Sequence, residues 1–377
     1  MRAVIWVQHL LGTGHTVRAA ALAHALRDAG AEVTLVLGAR APATLDLSGI
    51  RTAALDPVAA TDASFRTILA EDGTPYAEIQ ERRRAHFLSI VREANPDILL
   101  TETFPFGRRA FAGEILPVLE AMPAKTVVAS SVRDVLVRKS AAKEAAMTGL
   151  ARAWYDLILV HADPAFVRLD DSFAAAGEVA DLLRYTGFVH RPAPSAPPTG
   201  PVSEGDLDGA GEVVVSAGGG GVGGTLVEAA IGAARRDEAV RWRILVSPKM
   251  GAKLAAWRDR APRNAIVEAN RPDFGALLER SSLSVSQAGY NTVLDVMAAG
   301  TRAIFVPFAA DEETEQTDRA NALARRGLAR VLPEATLTAE GLAAAVTAAL
   351  AEPRPGRHAV DTEGARRSAE MLIAARR

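Results

Sequence analysis

The sequence predicts an α/β protein of two doubly wound, Rossmann-like domains facing a central cleft. Three observations carry that reading. The chain opens β–α–β: an apolar run at residues 2–8, a glycine turn, a helix near 15–29 and a second apolar run at Glu32–Leu37. A second β–α series starts at Glu212–Ser216. Between them, residues 190–211 hold much of the chain's proline and no apolar periodicity, the mark of an interdomain linker. The expected divisions are 1–190 for the first domain, 191–211 for the linker, 212–352 for the second domain, and 353–377 for a C-terminal helix able to pack back on the first.

Composition narrows the function. A chain of 377 residues can bury two cores, and 49% hydrophobic with 23% charged residues describes an ordinary globular protein. A net charge of −2 leaves no basic excess to neutralise phosphates, which argues against nucleic-acid binding. The absence of cysteine removes disulfides, thiolate nucleophiles and zinc–thiolate sites. The first apolar run leads into a polar glycine turn and no small-residue cleavage site, so it reads as a buried strand. No stretch approaches the roughly 18 apolar residues of a membrane span, and a cytoplasmic location is expected.

In the first domain, Gly12-Thr13-Gly14-His15 turns the first strand into its helix, whose expected buried stripe is Leu22, Ala25, Leu26 and Ala29. A lone G-x-G without a third glycine is weak evidence for a dinucleotide, and NAD is not inferred. His15 falls in the first helical turn with Arg18 three residues on. The helix dipole and a nearby guanidinium both favour neutral imidazole, the form a general base needs. Spacing alone favours a histidine that merely caps the helix or fills the turn. Residues 41–75 read as irregular with short strands, and a long helix is expected around 75–95, its Arg82-Arg83-Arg84 run a solvated face. A strand at 97–101 then delivers Glu102 and, after Phe104 and Phe106, Arg108. These are candidates for gripping an acceptor, with a salt-bridged loop as the alternative. Strands at 125–129 and 155–160 follow. The first carries Arg133 beyond its carboxyl end, a further acceptor-side candidate; the second ends in His161 and Asp163, read as polar ends of a buried strand. A last strand is expected at 185–189.

In the second domain, Glu212–Ser216 runs straight into Gly218, Gly219, Gly220 and Gly221. Such a run lets backbone amides curl around an anion; a merely flexible loop is the alternative. Strands near 242–247 and 264–268 lead to the junction holding Arg271 and Phe274. Residues 286–321 then read as strand end, glycine turn, helix, strand, polar loop and helix start. Past Gly289, the amides of Tyr290, Asn291 and Thr292 open a helix where a phosphate could sit. Asn291 and Asp295 are four apart on one face, so Asp295 can accept from ribose hydroxyls one turn beyond. Glu315 and Gln316 open another helix towards the same crevice. An ordinary βαβ unit with capping residues explains the same spacing. The formal D-x-D at Asp206-Leu207-Asp208 lies in the linker and is discounted. Residues 338–350, with Thr338 as N-cap, and 364–375 complete the helices.

Gly289, Thr292, Asp295, Gly300, Pro307, Gln316, Asn321 and Ala322 resemble the donor-binding pattern of family 28 glycosyltransferases, the group containing the enzyme that makes lipid II in cell-wall synthesis. The sequence departs from that pattern at Asp295, where Glu is usual, at Thr301-Arg302, where x-Pro is usual, and at Glu315, where His is usual. The G-x-G-H-x-x-R arrangement ending in His15 and Arg18 is similar to the acceptor-side loop of the same family and of related nucleotide-sugar hydrolases. The resemblance covers most of the second domain and the first turn of the first; residues from about 40 to 190 assign no substrate. It implies the GT-B fold. It also implies a metal-independent, inverting transfer of a sugar from a nucleotide-sugar, with a UDP-sugar expected, to an acceptor hydroxyl. No cofactor is implied, because the nucleotide-sugar is a substrate. Within it, Ser216 and the glycine loop face the donor phosphates, Arg271 and Phe274 sit at the base, and His15 is the general base. The cell-wall relative works at a lipid surface, so peripheral contact with the inner face of the membrane is an allowed partner. A hydrolase using water as acceptor, a sugar 2-epimerase and a non-enzymatic nucleotide-sugar sensor remain as alternatives.

Overall fold

A computed structural model describes residues 1–10, 13–42, 45–61, 67–164, 167–189, 208–218, 223–308, 314–355 and 361–376. The chain divides into two compact units, residues 1–190 with 361–377 and residues 191–360. Most of the linker, residues 190–207, lies outside the described residues.

In the first unit, β1 (Arg2–Val7) leads through α1 (Gly14–Asp28) to β2 (Glu32–Leu37) and β3 (Arg51–Ala54). A small hairpin of β4 (Val58–Ala60) and β5 (Ile68–Ala70) precedes α2 (Tyr76–Ala94). Then follow β6 (Ile98–Glu102), α3 (Ala112–Glu120), β7 (Val127–Arg133), α4 (Ala141–Trp154), β8 (Leu157–His161) and β9 (Leu183–Tyr185). The seven-stranded sheet runs β3-β2-β1-β6-β7-β8-β9, each pairing parallel. In β1, Ala3, Ile5 and Val7 join a core with Ala19, Leu22, Ala23 and Leu26 of α1. Val4 and Trp6 face the opposite core, with Phe87 and Val91 of α2 and Ile115 and Val118 of α3. Burial on both faces is why the strand reads as a continuous apolar run and not as an alternation.

Several expectations are corrected here. The buried stripe of α1 runs through Ala19, Leu22, Ala23 and Leu26, while Ala29 is exposed beyond the helix end. Residues 41–75 do carry short strands as expected, and β3 among them extends the main sheet beside β2. The strand expected at 125–129 continues to Arg133, because β6 and β8 offer ladder partners on both sides as far as Ser131 and Arg133. The strand expected at 185–189 ends at Tyr185, and beyond the left-handed Gly187 (φ +80°) Val189 bridges to Glu363. Arg83 lies on no solvated face. It is fully buried, with Nε donating to Glu114 Oε2 at 2.8 Å and Nη2 to Gln8 Oε1 at 3.0 Å.

In the second unit, β10 (Glu212–Ser216), α5 (Gly224–Ala234), β11 (Arg241–Val246), α6 (Ala252–Arg260), β12 (Ala265–Ala269), α7 (Phe274–Arg280), β13 (Leu283–Ser286), α8 (Tyr290–Ala299), β14 (Arg302–Phe305), α9 (Glu315–Arg325), β15 (Arg330–Val331) and α10 (Ala339–Leu350) follow in order. The six-stranded parallel sheet runs β12-β11-β10-β13-β14-β15. Thr338 Oγ1 caps α10 by accepting from Gly341 N at 3.0 Å. The last helix, α11 (Gly364–Ala374), belongs to the first unit: Ala369 and Leu372 enter the core of α1, and Gly364 N donates to Phe188 O at 3.0 Å. Strand order reverses between β1 and β6 in one sheet and between β10 and β13 in the other. These reversals are the positions at which open α/β sheets bind ligands beyond their carboxyl ends.

Candidate active site

At the reversal in the first unit, the turn after β1 and the end of β6 bring His15 and Glu102 together across 87 residues of sequence. His15 Nδ1 lies 2.9 Å from Glu102 Oε1. Arg18 Nη2 pairs with the same oxygen, Thr103 Oγ1 donates to it at 3.1 Å, and Ser131 Oγ donates to Oε2 at 2.6 Å. Thr103 is held in the left-handed region (φ 69°), a conformation that is strained for a β-branched residue. Expected to grip an acceptor, Glu102 instead sits behind His15 at 1% exposure. Burial works to raise its pKa, but the Arg18 charge and the His15 hydrogen bond prevail and hold it well below the usual carboxylate range. An ionised carboxylate only accepts, so Nδ1 carries the imidazole proton and Nε2 keeps its lone pair.

Burial comes first in pulling the His15 pKa well below its ordinary value, and the Arg108 charge comes next; the Glu102 hydrogen bond opposes both. Arg108 is thus the guanidinium that depresses the ring most, while Arg18, whose Nη2 lies 3.3 Å from Nδ1, is paired with Glu102. Arg133, at the end of β7, adds to the depression. Arg108 also donates from Nε to Gln8 O at 2.7 Å, tying its loop to the end of β1. Thr13 is the N-cap of α1 without a side-chain cap bond, Gly14 is its first residue, and Gly12 lies outside the described residues.

At the second reversal, Ser216 ends β10 opposite Ser286 of β13. Gly218 (φ +75°) and Gly223 (φ +101°) are left-handed, and a Cβ on Gly223 would come within 2.7 Å of Ala217 Cβ, so glycine is required there. Gly219, Gly220 and Gly221 lie outside the described residues. Gly289 is different. Its φ of −63° suits any residue, and a Cβ there would meet only Thr292 Oγ1, at 4.0 Å. The bare Cα leaves open space beside the N-terminus of α8, which has no side-chain cap. Tyr290 is buried, while Asn291, Thr292 and Asp295 are half-buried on the following turn. Burial pushes the Asp295 carboxyl up to about 7. Gln316 Oε1 accepts from Phe308 N at 3.1 Å, so it shapes the loop after β14; Glu315, beside it, is buried. Phe274 begins α7, half-buried. Arg271 is gripped by Asp273 (2.7 Å) and Asp208 (2.9 Å), which occupy its guanidinium fully enough to make it a brace for the junction. Among the described residues, no group of three or more His, Asp or Glu could hold a metal ion, and no helix is long and apolar enough to cross a membrane.

Residues 260–371 match the family described as glycosyltransferase family 28 C-terminal domain. The match lies in the second unit and runs into the last helix. Among curated relatives of the chain is the UDP-N-acetylglucosamine--N-acetylmuramyl-(pentapeptide) pyrophosphoryl-undecaprenol N-acetylglucosamine transferase of Rhodospirillum centenum. It is 34% identical over 180 residues, which cover 45% of this chain and 46% of the relative. The protein of the same name from Tolumonas auensis is 38% identical over 82 residues, 22% of this chain and 23% of its own. The chain thus spans less than half the length of these relatives. Solved structures with the same fold include the MurG protein of Acinetobacter baumannii (TM-score 0.62, 16% identity, 99% of this chain and 100% of that one). Another is a spinosyn rhamnosyltransferase complexed with thymidine diphosphate (TM-score 0.62, 18% identity, 99% and 96%). The fold is GT-B.

The site also contains contributors that spacing did not single out. Gln287 is 5% exposed, with its side chain near Gly218 and Gly223, and its Nε2 has no hydrogen-bond partner among the described residues. Its position just before the glycine turn was the available signal. Arg319 of α9 donates to Ala288 O at 2.8 Å and lies 5.7 Å from the centre of the Tyr290 ring, pinning the turn from behind. Asn270 Nδ2 donates to Gly218 O at 3.0 Å and fixes the start of the loop. The departures at Thr301 and Arg302 are structural: Thr301 Oγ1 lies 3.3 Å from Ser281 Oγ, and Arg302 Nη1 donates to Ser282 O at 3.0 Å.

Proposed function

We propose that the protein is an inverting glycosyltransferase that moves a sugar from a nucleotide-sugar, with a UDP-sugar as the expected donor, to an acceptor hydroxyl. The second unit binds the donor. The amides at the N-terminus of α8 and around the glycine loop stabilise the departing diphosphate, and Asp295 accepts from the ribose hydroxyls. The first unit supplies the base: Nε2 of His15 takes the proton of the acceptor hydroxyl as its oxygen attacks the anomeric carbon opposite the leaving diphosphate. The imidazolium so formed is held by Glu102.

The observation that carries this reading is the His15–Glu102 pair at 2.9 Å, buried and at a ligand-binding position of the sheet. It supports a base with a fixed tautomer, which neither a sensor nor a purely structural turn requires. Electrostatic stabilisation of the leaving group by backbone amides makes a metal unnecessary, and the relatives' lipid-linked chemistry makes peripheral contact with a membrane part of the proposal. Thermal melting with UDP, TDP, GDP and ADP tests the donor site. One diphosphate at 100 times its Kd should add about 2.7 kcal/mol of stability, and Asp295→Ala should lose it. Donor turnover with and without an acceptor then separates transfer from hydrolysis. His15→Ala should lower kcat by about 10²–10⁴ with diphosphate binding intact, and EDTA should leave the rate unchanged. If no diphosphate raises the melting point, or if His15→Ala turns over like wild type, this function is wrong.

A further inference from the structure

Behind His15 the hydrogen bonds continue through three residues that this mechanism leaves unused. Ser131 Oγ lies 2.6 Å from Glu102 Oε2 and 2.8 Å from His161 Nε2, and His161 Nδ1 lies 2.9 Å from Thr186 Oγ1. Ser131, His161 and Thr186 are all fully buried. The proton positions follow by counting. A serine hydroxyl has one proton to give, and ionised Glu102 has none. With two oxygens 2.6 Å apart, that proton must lie between them, so Ser131 donates to Glu102. Ser131 Oγ then accepts from His161, which puts the imidazole proton on Nε2. Burial pushes the His161 pKa down to about 3, which keeps the ring neutral and its Nδ1 bare. The Thr186 hydroxyl lies 2.9 Å from Nδ1 and donates to Gly187 O at 2.8 Å, so the tautomer is decided at the Ser131 end of the chain, where the acceptor is a charged carboxylate. The donors of His161 and Ser131 both point towards Glu102. Full burial and this proton direction also rule out Ser131 as a nucleophile served by His161.

We infer that His161 is a positioning residue for His15: as the Nε2–H tautomer it fixes the Ser131 hydroxyl on Glu102, and the carboxylate so held turns Nδ1 of His15 inward and Nε2 outward. The three strands β6, β7 and β8 supply the rigidity, since Glu102 is in register with Ser131 and Arg133 with His161. The inference rests on the reading of His15 as the base, but the tautomer it assigns does not depend on turnover. A carboxylate with one donor fewer holds imidazolium better, so losing the Ser131 bond must raise the His15 pKa. That rise acts against the charges of Arg18, Arg108 and Arg133, which face the Glu102–His15 pair from α1, the loop after β6 and the end of β7.

The test is nitrogen NMR of protein labelled at its histidines, on wild type, Ser131→Ala, His161→Leu and His161→Gln, whose amide can still donate to Ser131. We expect wild-type His161 to show a protonated Nε2 and a bare Nδ1 with no titration between pH 5 and 8. Ser131→Ala and His161→Leu should move the His15 midpoint up by about half a pH unit or more, and His161→Gln should leave it in place. In the transfer assay the first two should lower kcat about tenfold at unchanged donor KM, with His161→Gln close to wild type. A His161 proton on Nδ1 overturns the inference, as does a His15 midpoint indifferent to Ser131→Ala. Should His161→Leu fail to fold, the wild-type tautomer and Ser131→Ala still decide it. The expected tautomer and midpoint shifts in a protein that transfers no sugar would support the hydrogen-bond chain and sink the proposed function alone.

Discussion

At Asp295, one turn into α8, the physics of a single carboxyl reaches the pH behaviour of the whole protein. Its folded pKa of about 7 lies above the unfolded value near 3.9. The sign follows: the contribution is intact below about pH 4 and is lost as pH climbs through about 7, because the native state must then hold a buried charge. Asp295→Asn should therefore be more stable than wild type at pH 8, by about 2–4 kcal/mol, with the gap closing towards pH 4 in melts across that range. Ribose hydroxyls donate to the ionised form, so diphosphate affinity should rise between pH 6 and 8 in wild type and stay flat in Asp295→Asn. Calorimetry at the two pH values checks this. Asp295 and His15 were visible in the sequence because each sits at a fixed offset from a glycine turn. Ser131 and His161 were not, because their meaning lies in partners 29 and 30 residues away, and Gln287 was passed over because its place before the glycine turn is a signal only once the loop it borders is known.

At the scale of the element, local pattern served strands and helices well where both faces are buried or a glycine ends the run. It failed where a charge is spent inside. The run at residues 82–84 looks polar throughout, yet Arg83 points inward to Glu114 and Gln8, joining α2 to α3 and to the end of β1. Removing one side of such a pair leaves an uncompensated buried charge. Arg83→Met should cost about 3–5 kcal/mol in denaturant titrations, and adding Glu114→Leu should return most of it. The turn before α5 makes the opposite point. With φ at +101° and Ala217 so close, Gly223→Ala must shift the loop that Gln287 borders. The variant should stay folded by circular dichroism yet lose most of the melting-point gain from the diphosphate that protects wild type.

At the scale of the molecule, the duplication of doubly wound units was legible because the proline-rich stretch and the second glycine turn bracket it. The docking of α11 is settled by contacts no local pattern contains: a Cβ on Gly364 would lie 2.7 Å from the Phe188 carbonyl carbon, with the Gly187 carbonyl oxygen nearer still. Gly364→Ala should release the helix. Hydrogen exchange over residues 361–376 should then approach unfolded rates while the second unit keeps its protection. The same docking sets an order of birth. Ala369 and Leu372 complete a core begun by Leu22 and Leu26, but a ribosome makes them only after the entire second unit. The unit translated second can therefore mature first, while the one translated first waits with a gap in its interior. Stalled nascent chains ending near residue 352 should be cut by protease within residues 1–190 and resist it within residues 212–350, so that emergence of α11 becomes the moment the first unit closes.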